Sequence, residues 1–325
     1  MKYPPSRFQH AHLSPDQTGK FPNMHGKWLF GLKVYTGCNT TVDQKLMNMN
    51  GSCAAGKRPE QIKIDEKMAA IKHKIAVMSG KGGVGKSTVA ANLSRALSAS
   101  GKKVAVLDVD ITGPNLPKML GAEGKHMEAE EDGMLPVKTD DGLSLVSMGF
   151  LLQSEETPVI WRGPLKMGAI QQLLGEVKWG VQDYLVIDLP PGTGDEPLSI
   201  AQLLPNMDGV VIVTTPQDVA LMDARKSVTF ARRLKLPILG IVENMSGLVC
   251  PHCGKDVQLF GAGGGKRCAL EMDVPFLGAI PVDGAVVTAG DGGYDPFAKK
   301  DNSPAASSFL KIVKKMVKRI EKGGK

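Results

Sequence analysis

No stretch of this chain approaches the ~20 consecutive apolar residues that a membrane-crossing helix needs. The N-terminus carries no compact apolar segment of the secretory type, so export is not expected. Aromatic residues are scarce, at 5%, which leaves little to stack on nucleic-acid bases. Cysteine is sparse too: five in 325 residues, an odd count that describes no disulfide framework and points to a reducing, cytoplasmic setting. The net charge of +7 is unevenly spread. Residues 1–60 hold eight Lys/Arg against three Asp/Glu, and residues 309–325 hold seven against one. The body between them is therefore acidic, at about −4, and basic ends on an acidic body argue against a nucleic-acid groove.

What is present is enough for a full α/β core: 42% of residues are hydrophobic. Residues 1–60 mix Pro, Gly, Asn, His and Met without a sustained period, and a largely disordered tail is expected there. Asn50-Gly51-Ser52-Cys53-Ala54-Ala55-Gly56 reads like an ordinary N-terminal tail, which makes Met47 or Met49 the expected native start. Residues 61–325 form the expected single domain. A short helix over 61–73 leads into β-branched apolar runs at 74–79, 103–108, 143–148, 184–188, 209–214, 237–242 and 275–280. Helical patterns occupy 87–100, 165–177, 219–234, 265–272 and 309–322. Near-continuous apolarity with strands alternating with helices predicts a doubly wound, mostly parallel sheet in a three-layer αβα arrangement.

Between the first strand and the first long helix runs Gly80-Lys81-Gly82-Gly83-Val84-Gly85-Lys86-Ser87-Thr88. A glycine loop in a strand–loop–helix context is a P-loop: bare backbone N–H groups turn toward phosphate oxygens, and the helix presents its positive end to them. Lys86 is placed to reach the β- and γ-phosphates of ATP, and Ser87 to ligate Mg²⁺. Two acidic segments follow strands, Asp108-Val109-Asp110-Ile111-Thr112-Gly113-Pro114 and Asp188-Leu189-Pro190-Pro191-Gly192-Thr193-Gly194-Asp195. Asp188, closing an apolar strand, is placed to hold a Mg²⁺-bound water, and the glycine-proline stretch after it reads as a switch that senses the γ-phosphate.

Cys250-Pro251-His252-Cys253 puts two thiolates on one turn, but two sulfurs do not complete a tetrahedral site, and no second Cys-x₂-Cys exists. The missing donors can come from His252 or from a second subunit, and either an iron–sulfur cluster or a zinc ion fits the spacing. The motif does not open a helix near the first strand, as a thioredoxin-type pair does. Cys268 lies in a helical pattern and reads as a packing residue.

The second lysine, Lys81, makes the P-loop similar to the deviant Walker A of the dimerising ATPases, which include MinD, ParA and the nitrogenase iron protein. Together with Trp161-Arg162-Gly163-Pro164, Glu243-Asn244-Met245-Ser246, the cysteine pair and Phe260-Gly261-Ala262-Gly263-Gly264-Gly265, in this order, residues 61–298 resemble an Mrp-type iron–sulfur cluster carrier ATPase. The resemblance implies a homodimer holding a cluster, 4Fe–4S above other types, between paired Cys250 and Cys253. It also implies weak ATP hydrolysis and delivery to apo iron–sulfur proteins. Lys81 would reach the partner's nucleotide, Asp110 would orient the attacking water and Asn244 would contact adenine. Thr112 stands where that family commonly has Tyr, and Cys38 and Cys53 are too few for the N-terminal four-cysteine site of eukaryotic members. The rival expectation is a MinD- or ParA-like positioning ATPase. Its support is the basic amphipathic pattern of residues 309–320, whose simpler role is a last helix closing the sheet.

Overall fold

The computed structural model describes residues 58–152, 161, 163–250, 252–297 and 303–323. By its internal contacts the chain divides into Met1–Asn48 and Met49–Lys325. The first unit lies outside the described residues, as do Cys38, Cys53, Arg162, Pro251, the expected start at Met47 or Met49, and all of the expected tail up to residue 57.

In chain order the second unit opens with α1 (Pro59–Ala69), β1 (Ile71–Ser79), α2 (Lys86–Ala99), β2 (Val104–Asp108) and a short α3 (Leu116–Met119). A hairpin of β3 (Glu128–Glu130) and β4 (Gly133–Leu135) precedes β5 (Val137–Lys138), β6 (Ser144–Ser147) and α4 (Gly163–Glu176). Then come β7 (Gln182–Asp188), α5 (Asp195–Leu203), β8 (Gly209–Thr214), α6 (Asp218–Arg233) and β9 (Ile238–Glu243). A second hairpin, β10 (Leu248–Val249) and β11 (Asp256–Val257), is followed by α7 (Gly264–Glu271), β12 (Phe276–Ala279), α8 (Gly284–Gly292) and α9 (Pro304–Gly323).

Eight strands form one sheet in the order β12-β9-β8-β1-β7-β2-β6-β5, parallel throughout except for β5 against β6. Side chains alternate across a strand, and both sets are buried here. Ile75, Val77, Val106, Val186, Val211 and Val213 belong to the core shared with α2 and α9. The intervening Ala76, Met78, Leu107, Ile187 and Ile212 are equally buried, so helices cover both faces and the layering is αβα. The register sets Asp188 opposite Val77 on one side and opposite Asp108 on the other. All three strands thus deliver their last residues to one edge, where a doubly wound sheet binds ligands.

The first helix begins two residues before the expected domain start and ends early. Pro59 at its first position needs no N–H partner and fixes φ, and Ile71 to His73 already belong to β1. Three helices, the short α3 and the longer α5 and α8, escape the sequence pattern. The α8 segment is rich in Gly and β-branched residues, poor helix formers, and it is started by the Asp283 carboxylate, which accepts from the Ala285 N–H at 2.9 Å.

The helix α9 buries Phe309, Ile312, Val313, Met316 and Ile320 in the core. Its apolar face therefore closes the sheet, as the simpler expectation held. Replacing Phe309, which is 0% exposed and stacks edge-on with Phe297, by Ala should cost about 3–5 kcal/mol in urea unfolding. An unchanged urea midpoint would show that α9 is not part of the folding unit.

Candidate nucleotide site and cysteine hairpin

The loop from Ser79 to Lys86 leaves β1 and enters α2 through Gly85, whose φ of +78° lies in the left-handed region that favours glycine. A Cβ there would sit 2.2 Å from the Asn244 amide nitrogen. Gly80 is pressed against α6: a Cβ on it would lie 2.2 Å from the Asp223 carbonyl oxygen. The loop is tied to its surroundings as well. The Ser79 hydroxyl donates to the Lys81 carbonyl at 2.9 Å, and the Gly192 N–H donates to the Ser79 carbonyl at 2.8 Å. The second bond fastens the glycine-proline segment after Asp188 to the P-loop itself.

A cavity of about 540 Å³ opens over this loop. Lys81, Gly82, Gly83, Gly85, Lys86, Ser87 and Thr88 line one side, and Asp110, Thr112 and Pro191 another. Val84 is buried beneath the loop, with Gly80 behind it. Lys81 is half-buried and makes no ion pair among the described residues. The far wall comes from α3 and α8, through Lys118, Met119, Val287, Gly290 and Asp291. The sequence offers no motif for these residues; the backbones of Gly121 and Gly293 approach closely and bring them there.

The chemistry at the floor is a buried charge cluster. Lys86 Nζ lies 2.8 Å from Asp188 Oδ1, with the side chains 6% and 1% exposed. It also lies 3.2 Å from the Ser87 hydroxyl. The second Asp188 oxygen, Oδ2, is buried with no partner. Burial pushes the Asp188 carboxyl upward and Lys86 pulls it back. Asp108 accepts from the Asp110 N–H and the Ser147 hydroxyl, both at 3.1 Å. Its carboxyl is held well above the usual range, first by burial and then by the charge of Asp188. Asp110 accepts from the Thr112 hydroxyl at 2.7 Å. The three expected residues Lys86, Asp110 and Asp188 are thus together, and Asp108 and Ser147 join them without having been singled out as site residues.

Asn244 sits just behind the loop. Its amide donates to the Val84 carbonyl at 3.0 Å, and its side chain does not line the cavity. Its neighbour Glu243 is fully buried, and its carboxylate accepts from the Gly263 N–H at 2.8 Å, from the Gly265 N–H and from the Ser246 hydroxyl. That carboxylate supplies the cap for the start of α7, a role consistent with anion binding at helix N-termini.

Cys250 and Cys253 lie at the tip of the β10–β11 hairpin, a more regular setting than the expected loop, with Val249 paired to Asp256. The turn is closed by the Cys250 N–H on the Lys255 carbonyl at 3.0 Å and the Gly254 N–H on the Cys250 carbonyl at 2.9 Å. Backbone N–H groups of Cys253, then His252, lower the Cys250 thiol from its ordinary value, which favours the thiolate a metal binds. Among the described residues no three His, Cys, Asp or Glu side chains come together as a metal site, so the hairpin offers two sulfurs and no more. Cys268 is fully buried in α7, as a packing residue should be.

The ParA family model described as NUBPL iron-transfer P-loop NTPase matches residues 70–317. An iron-sulfur cluster carrier protein of Methanocaldococcus jannaschii is 53% identical over 262 residues, 81% of this chain and 90% of that protein. A nucleotide-binding protein of Archaeoglobus fulgidus, solved in complex with ADP, superposes with a TM-score of 0.66 at 40% identity, covering 75% of this chain and 96% of that one. The cell division ATPase MinD of Pyrococcus furiosus shares the fold, with a TM-score of 0.54 at 24% identity over 76% of this chain and 98% of its own.

The raised Asp108 carboxyl sets a pH test. A folded-state value above the unfolded one favours folding in acid, and that contribution is lost as pH rises through the raised value. Asp108→Asn should therefore raise the Tm of the nucleotide- and magnesium-free protein by about 2–4 °C near neutral pH. The gain should shrink as pH falls through the raised value and be gone below about pH 4, where the carboxyl is protonated in both states. A gain independent of pH would refute the assignment.

Proposed function

Because the chain belongs to the NUBPL iron-transfer P-loop NTPase family, we propose that it is an ATP-dependent iron–sulfur cluster carrier. It binds ATP over the P-loop, hydrolyses it slowly, and passes a cluster held by Cys250 and Cys253 to apo iron–sulfur proteins. The observation that carries this reading is the pairing in one domain of a phosphate-binding loop with an exposed two-thiolate hairpin whose donors are incomplete. A homodimer with its two-fold axis at the hairpin supplies four thiolates, the ligand set of a 4Fe–4S cluster. The cluster is cargo, and a pair of sulfurs from each of two subunits lets it leave when the subunits part. A reducing cytoplasm, where such thiolates survive, is the matching compartment.

In the nucleotide site, the backbone N–H groups of residues 80–88 cradle the phosphates and Lys86 turns from Asp188 toward the β- and γ-phosphates. Magnesium fits here: the unpartnered, buried Asp188 Oδ2 and the adjacent Ser87 hydroxyl are hard oxygen donors. Bound there, the ion would offset the phosphate charge. Asp110, steadied by Thr112, accepts a hydrogen bond from the water that attacks the γ-phosphorus, and ADP leaves with the electrons of the broken P–O bond. Lys81, which lines the cavity and makes no ion pair among the described residues, reaches across the dimer to the partner's nucleotide. The adenine contact proposed for Asn244 requires its amide to leave the Val84 carbonyl and turn toward the cavity.

The MinD- or ParA-like reading has less behind it. It assigns nothing to the cysteine hairpin, and the apolar side of α9 that a membrane cycle would use is spent in the core.

Variants at two sites separate the halves of the proposal. Lys86→Ala should lower ATP hydrolysis about a hundredfold or more while anaerobic reconstitution with iron and sulfide still loads a cluster. Cys250→Ser or Cys253→Ser should bind ATP normally but lose stable cluster, because Ser is a poor ligand for a soft metal and each change removes two of the dimer's four sulfurs. Iron and sulfide content, absorption spectra and activation of an apo-protein read the outcome. A Cys253→Ser protein that still loads and delivers a full cluster would sink the carrier function.

A further inference from the structure

The solvent side of α9 carries Lys311, Lys314, Lys315, Lys318, Arg319 and Lys322. Their spacing is i, i+3, i+4, i+7, i+8 and i+11, which places all six on one stripe of a helix. The stripe lies opposite the buried Ile312, Val313, Met316 and Ile320. All six are exposed, and none makes an ion pair among the described residues. Four pairs stand at i, i+4, where like charges weaken a helix. Charge–dipole attraction explains a cation in the last turn only, whereas this stripe runs for three turns. Among the described residues no acidic side chain forms an ion pair with any of the six, so the fold carries a row of mutual repulsion.

Beside the stripe, Lys315, Lys318, Arg319 and Lys322 rim a recess of about 230 Å³ floored by Pro275, Phe276 and Leu277. Phe276 and Leu277 open β12 and Pro275 precedes it; among the described residues this end strand of the eight-stranded sheet has a paired neighbour on one side only. An end strand offers unused backbone hydrogen-bonding groups to an extended peptide. Cations, an apolar recess and a free strand edge therefore meet at one place.

From this meeting we propose that α9 and β12 form a docking surface for an acidic, extended segment of a partner protein. Its carboxylates lie along the stripe, one apolar side chain fills the recess, and its backbone runs beside β12. The stripe is about 16 Å long, which matches about five residues of extended chain. A peptide is favoured over an anionic membrane because the large apolar side chains of α9 are buried and only Leu310 is exposed, leaving no wedge to enter a bilayer. It is favoured over nucleic acid because neither the stripe nor the recess sets out aromatic rings in series for base stacking. The surface does not involve the P-loop or the cysteine hairpin, so this inference stands apart from the carrier function.

The test uses the full chain and a fluorescein-labelled peptide of alternating Glu and Thr with one central Leu, read by fluorescence anisotropy. Wild type should bind it, and binding should weaken steeply with salt. The charge reversal Lys315→Glu/Lys318→Glu/Lys322→Glu should weaken binding by about tenfold or more. The control Lys63→Glu/Lys72→Glu/Lys102→Glu, with the same net charge on exposed sites elsewhere, should bind as wild type does. The stripe variant should also keep or raise its Tm, because it turns three of the four like-charge i, i+4 pairs into opposite ones; a lowered Tm overturns the claim that the stripe is held against folding stability. Equal loss in both variants, or no binding by wild type, overturns the docking surface. So does tighter binding to phosphatidylserine vesicles or to a single-stranded oligonucleotide than to the peptide.

Discussion

A buried ion pair between Lys86 and Asp188 holds the centre of this molecule together. Taking two charges out of water is expensive, and only close geometry and further polar contacts offset that cost. Here the geometry is set by the sheet. Asp188 pairs in register with Val77 and with Asp108, so β7 and β2 end level with each other, two residues before β1 ends at Ser79. A one-residue slip of β7 would carry Asp188 to the opposite face and leave Lys86 buried alone. The same pairing lets α2 start where it does, with a cation inside the positive end of its own dipole, an arrangement that is unfavourable without a carboxylate opposite. Asp108, its carboxyl raised by burial and by Asp188, stands beside the pair and accepts from the Asp110 N–H and the Ser147 hydroxyl.

Much of this was legible in residue order because it depends on short-range chemistry. The P-loop glycines, the acidic strand ends and the Cys-x₂-Cys each need only a few neighbouring residues to declare themselves, and the buried parallel strands are apolar on both faces. Other features depend on distant segments meeting. The cavity wall from α8 could not be anticipated, because a Gly-rich, β-branched segment becomes helical only once Asp283 caps it and Gly293 packs on Gly121. Glu243 looked like part of a motif, yet its carboxylate closes the start of α7 twenty residues later. The end of α1 was misplaced because Ile71, Lys72 and His73 suit a helix as well as a strand until β7 pairs with them.

The last helix illustrates how one pattern serves two environments. Its apolar stripe is committed to the sheet and is not available to a second surface. Its opposite stripe remains unneutralised, so the basic excess of the C-terminal region is not merely a solubility feature spread at random.

One short segment sets the range within which the two working loops can act on each other. Asn244 is bonded to the P-loop at Val84, and Cys250 follows six residues later. A chain of that length extends at most about 20 Å, so it works as a leash: the sulfur pair cannot leave the neighbourhood of the phosphate loop. Along the leash, Met245 and Gly247 occupy left-handed backbone conformations, with φ of 57° and 74°. The Ser246 N–H is pinned between them to the Ile280 carbonyl. A second bond, from the Val282 N–H to the Gly247 carbonyl at 2.8 Å, holds the base of the hairpin as well, so the leash is fastened twice to the segment after β12 before it reaches the thiolates.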